Sequence, residues 1–129
     1  MTKLDVLKSQ LAKALKRFEE ILREEKTTIV RDAALKRFEF VFDLSWKTMR
    51  AYLKEQEGVD CVSPKDCIKA AYRQGLIEYD TIWLQMCDWR NEIAHAYGEE
   101  FAEKLYHGLP EILVACQKLA KTLKIDTPG

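Results

Sequence analysis

The stretch "IVRDAALKRFEFVFDLSWKTMRAYLKEQEG", from Ile29 to Gly58, decides the fold. One stripe of it recurs at spacings of three and four residues, the period of an α-helix, and consists of Ala34, Phe38, Val41, Ser45, Met49 and Tyr52. Four more apolar side chains widen this stripe: Phe42, Leu44, Trp46 and Leu53. So wide an apolar surface indicates a central helix with more than one neighbour, or a subunit interface. Gly58 is typical of a helix C-terminus.

The segments on both sides of this stretch are also helical. Upstream, an amphipathic pattern of about six turns ends before "EEKTT" and contains Leu4, Leu7, Leu11, Leu15, Phe18 and Leu22. Downstream, Ser63 as N-cap and Pro64 at the first helical position begin a short helix that Gly75 ends. Asp80 is placed to cap a fourth helix, "TIWLQMCDWRNEIAHAY".

A fifth helix is predicted after Gly98, and Pro110 should bend or break it. Its apolar stripe contains Phe101, Leu105, Leu109, Ile112, Cys116, Leu119 and Leu123. Together these patterns predict an all-α fold: an antiparallel four-helix up-and-down bundle with one additional short helix. We expect one domain over residues 1–129, because no linker or repeat interrupts the helices.

Composition narrows the classes of function. The chain has 21 Lys and Arg residues and 21 Asp and Glu residues, so no global field attracts nucleic acid, although a local basic cleft is compatible with this balance. No apolar run approaches the roughly 18 residues that cross a bilayer, and the N-terminus lacks the apolar block of a signal peptide. We therefore expect a cytoplasmic protein with no membrane contact.

The four cysteines, Cys61, Cys67, Cys87 and Cys116, include no C-x-x-C pair, and only two histidines accompany them. This spacing does not favour a zinc site, so neither a metal nor another cofactor is expected. In a cytoplasmic protein the cysteines should be reduced thiols.

The segment "RNEIAHAY", from Arg90 to Tyr97, carries the candidate site. On a helical wheel, Asn91 and His95 share a polar face, whereas Arg90 lies in the middle of the apolar arc together with Tyr97. Arg90 and His95 would be about 140° apart on an ideal helix. They can act together only if the helix loosens toward Gly98, or if two subunits each contribute.

A guanidinium on an apolar stripe needs a partner or a water-filled cleft. Arg90 has two interpretations: an internal pair with Glu39 or Asp43, or a cleft in which it meets an anion such as a phosphate. His95 is either a surface residue near a helix end or a proton acceptor. Tyr97 is either a packing residue or a functional one.

Two stretches resemble one family. "RNEIAHAY" matches the R-x4-H-x-Y motif of HEPN-domain proteins, and "RDAALKRFEFVFDLSWKTMRAYL" is similar to the second helix of the HEPN branch called nucleotidyltransferase substrate-binding proteins. The resemblance covers nearly the whole chain. It implies an all-α homodimer whose motifs meet near the dimer cleft, encoded beside a minimal nucleotidyltransferase.

The resemblance also implies residue roles. Many HEPN proteins are metal-independent ribonuclease toxins, and in related pairs the nucleotidyltransferase is an antitoxin that adenylylates the motif tyrosine. Carried over, Arg90 and His95 are the catalytic pair, Asn91 is a supporting polar residue and Tyr97 is the modification target. The alternative function is a non-catalytic substrate-binding subunit of a two-component nucleotidyltransferase. A third hypothesis is a plain interaction bundle in which Arg90 pairs internally.

Overall fold

The computed structural model describes residues 1–95 and 98–125, which form five α-helices. These are α1 (Lys3–Arg23), α2 (Thr28–Tyr52), α3 (Pro64–Arg73), α4 (Thr81–Ile93) and α5 (Glu99–Thr122). The described residues contain no strand. The predicted all-α bundle with one short additional helix is therefore confirmed.

The second helix is the centre of the bundle. It packs against α1, α3, α4 and α5, and the predicted stripe is buried from Ala34 through Phe38 and Val41 to Met49. Phe18 of α1 is fully buried in the same cluster. The wide apolar surface of α2 is thus largely covered within one chain, as expected for a central helix that burial stabilises on several sides.

Side-chain caps fix three of the helix starts. Thr2 and Asp5 form a reciprocal capping box on α1, while Thr27 caps α2 and Ser63 caps α3 through their hydroxyl oxygens. Such caps satisfy backbone N–H groups that have no partner inside the helix. Asp80 stands at the N-cap position of α4, but its side chain makes no capping bond, so that detail of the prediction is wrong.

The predicted helix ends depend on glycine. After α2 the chain continues through a π-helical turn, Leu53–Glu57, to Gly58, whose φ is 65°. Gly75, with φ of 77°, follows α3, and the paired backbone bonds there form a Schellman motif. Both glycines occupy a left-handed conformation that other residues rarely adopt. By contrast, α5 passes through Pro110 without ending, so of the predicted bend or break the break does not occur.

The cysteines depart from expectation. Cys61 and Cys67 form a disulfide with their Cα atoms 5.1 Å apart, which overturns the prediction that both are reduced thiols. The sequence did not reveal this pair, because six residues of separation bring two Cα atoms together only once the turn before α3 is known. Cys87 and Cys116 are free, as predicted, and both are buried. Within the described residues, no helix has the length and apolar character needed to cross a membrane.

Candidate functional site

Arg90 is held by a carboxylate on the central helix. Its Nε donates a hydrogen bond to Asp43 Oδ1 at 3.1 Å, and its Nη2 donates to Asp43 Oδ2 at 3.3 Å. This two-point contact fixes the plane of the guanidinium as well as its position. Of the two partners that the sequence offered, Asp43 makes the hydrogen bonds, and Glu39 acts on Arg90 only through its charge.

The pair between Arg90 and Asp43 lies at an open edge of the bundle. The side chains are 28% and 33% exposed, respectively, so neither is sealed in the core. Among the described residues, Nη1 of Arg90 has no hydrogen-bond partner. The hydrogen bond from Arg90 to Asp43 raises the pKa of Arg90 above its ordinary value. Arg90 is therefore a permanent, oriented cation, and within the described residues one of its nitrogens is free to meet a further anion.

His95 lies beyond the end of α4. The helix ends at Ile93, and His95 follows in a bend with an exposed side chain. The prediction that α4 continues through His95 is wrong. The angle of about 140° to Arg90 belongs to an ideal helix and does not apply to a residue outside it. The helix thus loosens before Gly98, which is one of the two conditions for joint action of Arg90 and His95.

Asn91 contacts a cysteine of its own helix. Its amide nitrogen lies 4.0 Å from the Cys87 sulfur, one turn earlier on α4, a weak hydrogen bond. Burial raises the pKa of the Cys87 thiol, which keeps Cys87 protonated and unreactive. Asn91 therefore contacts Cys87, and the described residues show no bond from it to His95.

Tyr97, the fourth candidate of the motif, lies outside the described residues. The structure therefore brings Arg90 together with Asp43 and places His95 five residues further along the chain, past the helix end. Within the described residues, no group of three or more His, Cys, Asp or Glu side chains is placed to hold a metal ion.

A buried arginine that the sequence reasoning missed anchors the chain just after the motif. Arg31, which is 3% exposed, donates to Glu99 at 2.6 and 3.1 Å, to Glu103 at 3.0 Å and to Asp32 at 3.0 and 3.1 Å. These bonds tie the start of α2 to the first turns of α5. A signal was present, because Arg31 lies three residues before Ala34 on the buried stripe.

A large groove in the described part of the chain lies away from this site. A groove of about 800 Å³ runs between α4 and α5, and Trp89, Ile82 and Val114 help to line it. Neither Arg90 nor His95 lines it. The oriented charge of Arg90 therefore favours the open edge around Arg90 and Asp43 as the candidate site, rather than the groove between α4 and α5.

The fold and this edge define a class of protein: a small helical bundle that presents an oriented arginine next to a loop carrying a histidine. The family described as nucleotidyltransferase substrate binding protein like matches residues 7–125. The chain belongs to this family, and its resemblance to that branch of HEPN-domain proteins is confirmed.

One curated relative is similar to this chain. The chain is 30% identical over 95 residues to the Haemophilus influenzae protein named "Probable ribonuclease HepT", a match that covers 70% of this chain and 65% of that protein. The chain thus spans about two thirds of the length of the curated relative it matches.

Two solved structures share the fold. A protein from Thermus thermophilus has a TM-score of 0.83 at 34% identity, with 88% of this chain and 98% of that one covered. A Haemophilus influenzae protein, described as revealing the fold of a substrate binding domain of a nucleotidyltransferase, has a TM-score of 0.66 at 25% identity. That second match covers 94% of this chain and 96% of the other.

Proposed function

We propose that this protein is a HEPN-type ribonuclease toxin, controlled by a separate minimal nucleotidyltransferase. The observation that carries the proposal is the orientation of Arg90 by Asp43 at an open edge of the bundle, with His95 exposed just past the end of α4. The similarity to a protein named "Probable ribonuclease HepT" supports the same activity. The proposed location is the cytoplasm, where RNA substrates are available.

The proposed reaction is cleavage of the RNA backbone by its own 2′-hydroxyl. His95 accepts the 2′-OH proton, the 2′-oxygen attacks the adjacent phosphorus, and the bond from phosphorus to the 5′-oxygen breaks. Arg90 stabilises the charge that gathers on the phosphorane oxygens through its free nitrogen. The leaving 5′-oxygen takes a proton, and the products are a 2′,3′-cyclic phosphate and a 5′-hydroxyl.

A homodimer completes the proposed site. Each subunit supplies one Arg90 and one His95, so that one histidine accepts the first proton and the second histidine donates the last. A symmetric pair of subunits joins equivalent surfaces. This arrangement also satisfies the other condition for joint action, namely that two subunits contribute.

The proposed control is adenylylation of Tyr97 by the nucleotidyltransferase. The phenolic oxygen attacks the α-phosphorus of ATP, pyrophosphate leaves, and AMP remains on the tyrosine. The added phosphate is a bulky anion a short distance along the chain from Arg90, and it competes with RNA phosphate for the same cation. Intact-mass measurement after co-expression with the nucleotidyltransferase, compared with Tyr97→Phe, tests this modification.

The cleavage proposal is tested with the two histidines of the chain. We expect His95→Ala to reduce the rate of cleavage of a single-stranded RNA by at least about 100-fold, the usual size of a general base effect. His107→Ala is the matched control, because His107 is exposed on α5, where it lies near the carboxylate of Glu103 and the ring of Tyr106. Equal cleavage by wild type and His95→Ala, or loss in both variants, would contradict the assignment.

A second function is favoured by the description of the Haemophilus influenzae structure, which names a substrate binding domain of a nucleotidyltransferase. In this alternative the bundle presents an acceptor substrate to the enzyme and cleaves nothing. Incubation with the nucleotidyltransferase and labelled ATP separates the two functions. Label on Tyr97 supports control of a toxin, whereas label on a third molecule that requires this chain supports the substrate-binding subunit.

A further inference from the structure

The outward face of α2 next to the pair of Arg90 and Asp43 carries an exposed aromatic ring. Phe40 is 54% exposed, and the Lys36 ammonium lies 5.4 Å from the centroid of its ring. Phe40 and Asp43 are three residues apart, so their side chains are neighbours on the helix surface. The ring therefore stands beside the carboxylate that orients Arg90.

Two further cations lie on the same side of α2 as this ring. Lys47 and Arg50 are exposed, and helical spacing places both on the same side of α2 as Lys36 and Phe40. Lys36 and Lys47 are eleven residues apart, about 16 Å along the helix axis. We call this surface, formed by Lys36, Phe40, Lys47 and Arg50, the α2 platform.

The α2 platform has an excess of positive charge although the whole chain is neutral. With Arg90 it presents four cations, against the two carboxylates of Glu39 and Asp43. Asp43 is already engaged by Arg90, and Glu39 lies 3.8 Å from Lys36. The cations that remain are complementary to a phosphate backbone.

We propose that the α2 platform binds single-stranded RNA, with an unpaired base stacked on Phe40 and phosphates along the flanking cations toward Arg90. This inference rests on the proposed function, since it adds the substrate-binding surface to the same site. Lys36 leaves the ring when a base stacks there and pairs with a phosphate instead. Stacking tolerates any base, because every base has a π-face, so Phe40 supplies affinity rather than sequence choice.

An unpaired strand fits the α2 platform better than the other candidate occupants. In a duplex the bases are stacked on one another and cannot reach a ring on a protein surface. The core of a protein interface is depleted of charged residues, whereas the Lys36 ammonium lies over the Phe40 ring. An exposed aromatic ring next to cations is a combination used by proteins that bind single strands.

Binding is measured separately from cleavage by working in the His95→Ala background, which leaves the RNA intact. Fluorescence anisotropy with a 5′-labelled single-stranded oligoribonucleotide gives the affinity. We expect Phe40→Ala to weaken binding by roughly tenfold or more, and Phe40→Trp to preserve it. Tyr79→Ala is the matched control, because Tyr79 is a 71% exposed aromatic residue outside the α2 platform. Lys47→Ala should lower the salt dependence of binding by about one phosphate contact.

The outcomes separate this inference from the proposed function. Unchanged affinity in Phe40→Ala, or no affinity of the His95→Ala parent for RNA, overturns the inference. A Phe40→Ala protein that sediments as a smaller species than its parent also overturns it, because Phe40 is then a subunit contact. If RNA binding depends on Phe40 but the wild-type protein leaves RNA intact, the inference is supported. Only the ribonuclease proposal is then overturned. Circular dichroism verifies that each variant is folded.

Discussion

Among single residues, Arg90 shows how an apolar helix face accommodates a charge. The Asp43 carboxylate accepts hydrogen bonds from two of its nitrogens, and the third has no hydrogen-bond partner among the described residues. A partly exposed pair of this kind adds only modestly to stability, about 1 kcal/mol or less. Its larger consequence is positional, because a bound substrate meets a guanidinium that is already oriented.

The substitution Asp43→Asn tests whether Asp43 positions Arg90. Asparagine keeps the size of the side chain but loses the charge and one of the two acceptors, so Arg90 is no longer fixed in its plane. We expect RNA cleavage to fall by roughly 10- to 100-fold through kcat, with little change in KM and a thermal midpoint close to that of wild type.

The control for Asp43→Asn is Asp88→Asn, which removes a carboxylate from α4 that pairs with Lys65 and does not bond to Arg90. Its cleavage rate should match that of the wild type. Faster cleavage by Asp43→Asn would mean that Asp43 competes with the substrate phosphate instead of orienting Arg90, and the positional role would be lost.

Among the helices, the start of α5 is held by charge rather than by a cap. Gly98 is the N-cap of α5 and makes no side-chain capping bond, while Arg31 of α2 bonds to Glu99 and Glu103 in the first turns. Hydrogen bonds from Arg31 lower the pKa of Glu99, and those from Lys26 and Arg31 lower the pKa of Glu103. These contacts hold the first turns of α5, which follow the motif directly in the chain.

We expect the stability of the protein to depend on pH. A carboxyl whose pKa is lowered by folding stabilises the protein above its unfolded pKa of roughly 4.3, and this contribution is lost as the pH falls through the folded pKa. We expect the free energy of unfolding to decline between about pH 5 and pH 3. Arg31→Gln should be least stable relative to wild type at neutral pH, and the difference should shrink on acidification.

Urea denaturation at neutral pH and at several steps down to about pH 3 measures this difference. Arg23→Gln is the control, because Arg23 forms an exposed pair with Glu19 on the surface of α1, and such pairs contribute little. A constant difference between wild type and Arg31→Gln across the series would show that the contribution of Arg31 is packing of its stem rather than charge.

Helix periodicity predicted most of the bundle and less of the site. The stripe of α2 was readable because burial of every third or fourth side chain leaves a direct record in the sequence. The end of α4 was not readable, since Ile93 and Ala94 continue the apolar pattern and no glycine or proline intervenes before Gly98. The pair of Arg90 and Asp43 was one of two options, because Glu39 and Asp43 are one turn apart and only packing distinguishes them.

In the molecule as a whole, the disulfide between Cys61 and Cys67 is the feature that the sequence pattern did not predict. The disulfide closes a short loop between the turn after α2 and the first turns of α3. Both cysteines are buried, so a reductant reaches them only when this corner of the bundle opens. Disulfides are rare in reducing compartments, so the thiol state of the purified protein is a direct test of this link.

Reduction of the disulfide between Cys61 and Cys67 should destabilise the protein, because the link closes a loop. A loop of about seven residues gives roughly 2 kcal/mol in the chain-entropy model, so reduction should lower the thermal midpoint by about 6 to 10 °C. Alkylation in denaturant without a reductant should modify only Cys87 and Cys116, the two free cysteines, and all four after reduction. In the native state Cys116 should stay unmodified, because burial raises its pKa to about 12 and only the thiolate reacts. Four alkylated cysteines in unreduced protein would mean that the link does not form in solution, and the midpoint should then be insensitive to reductant.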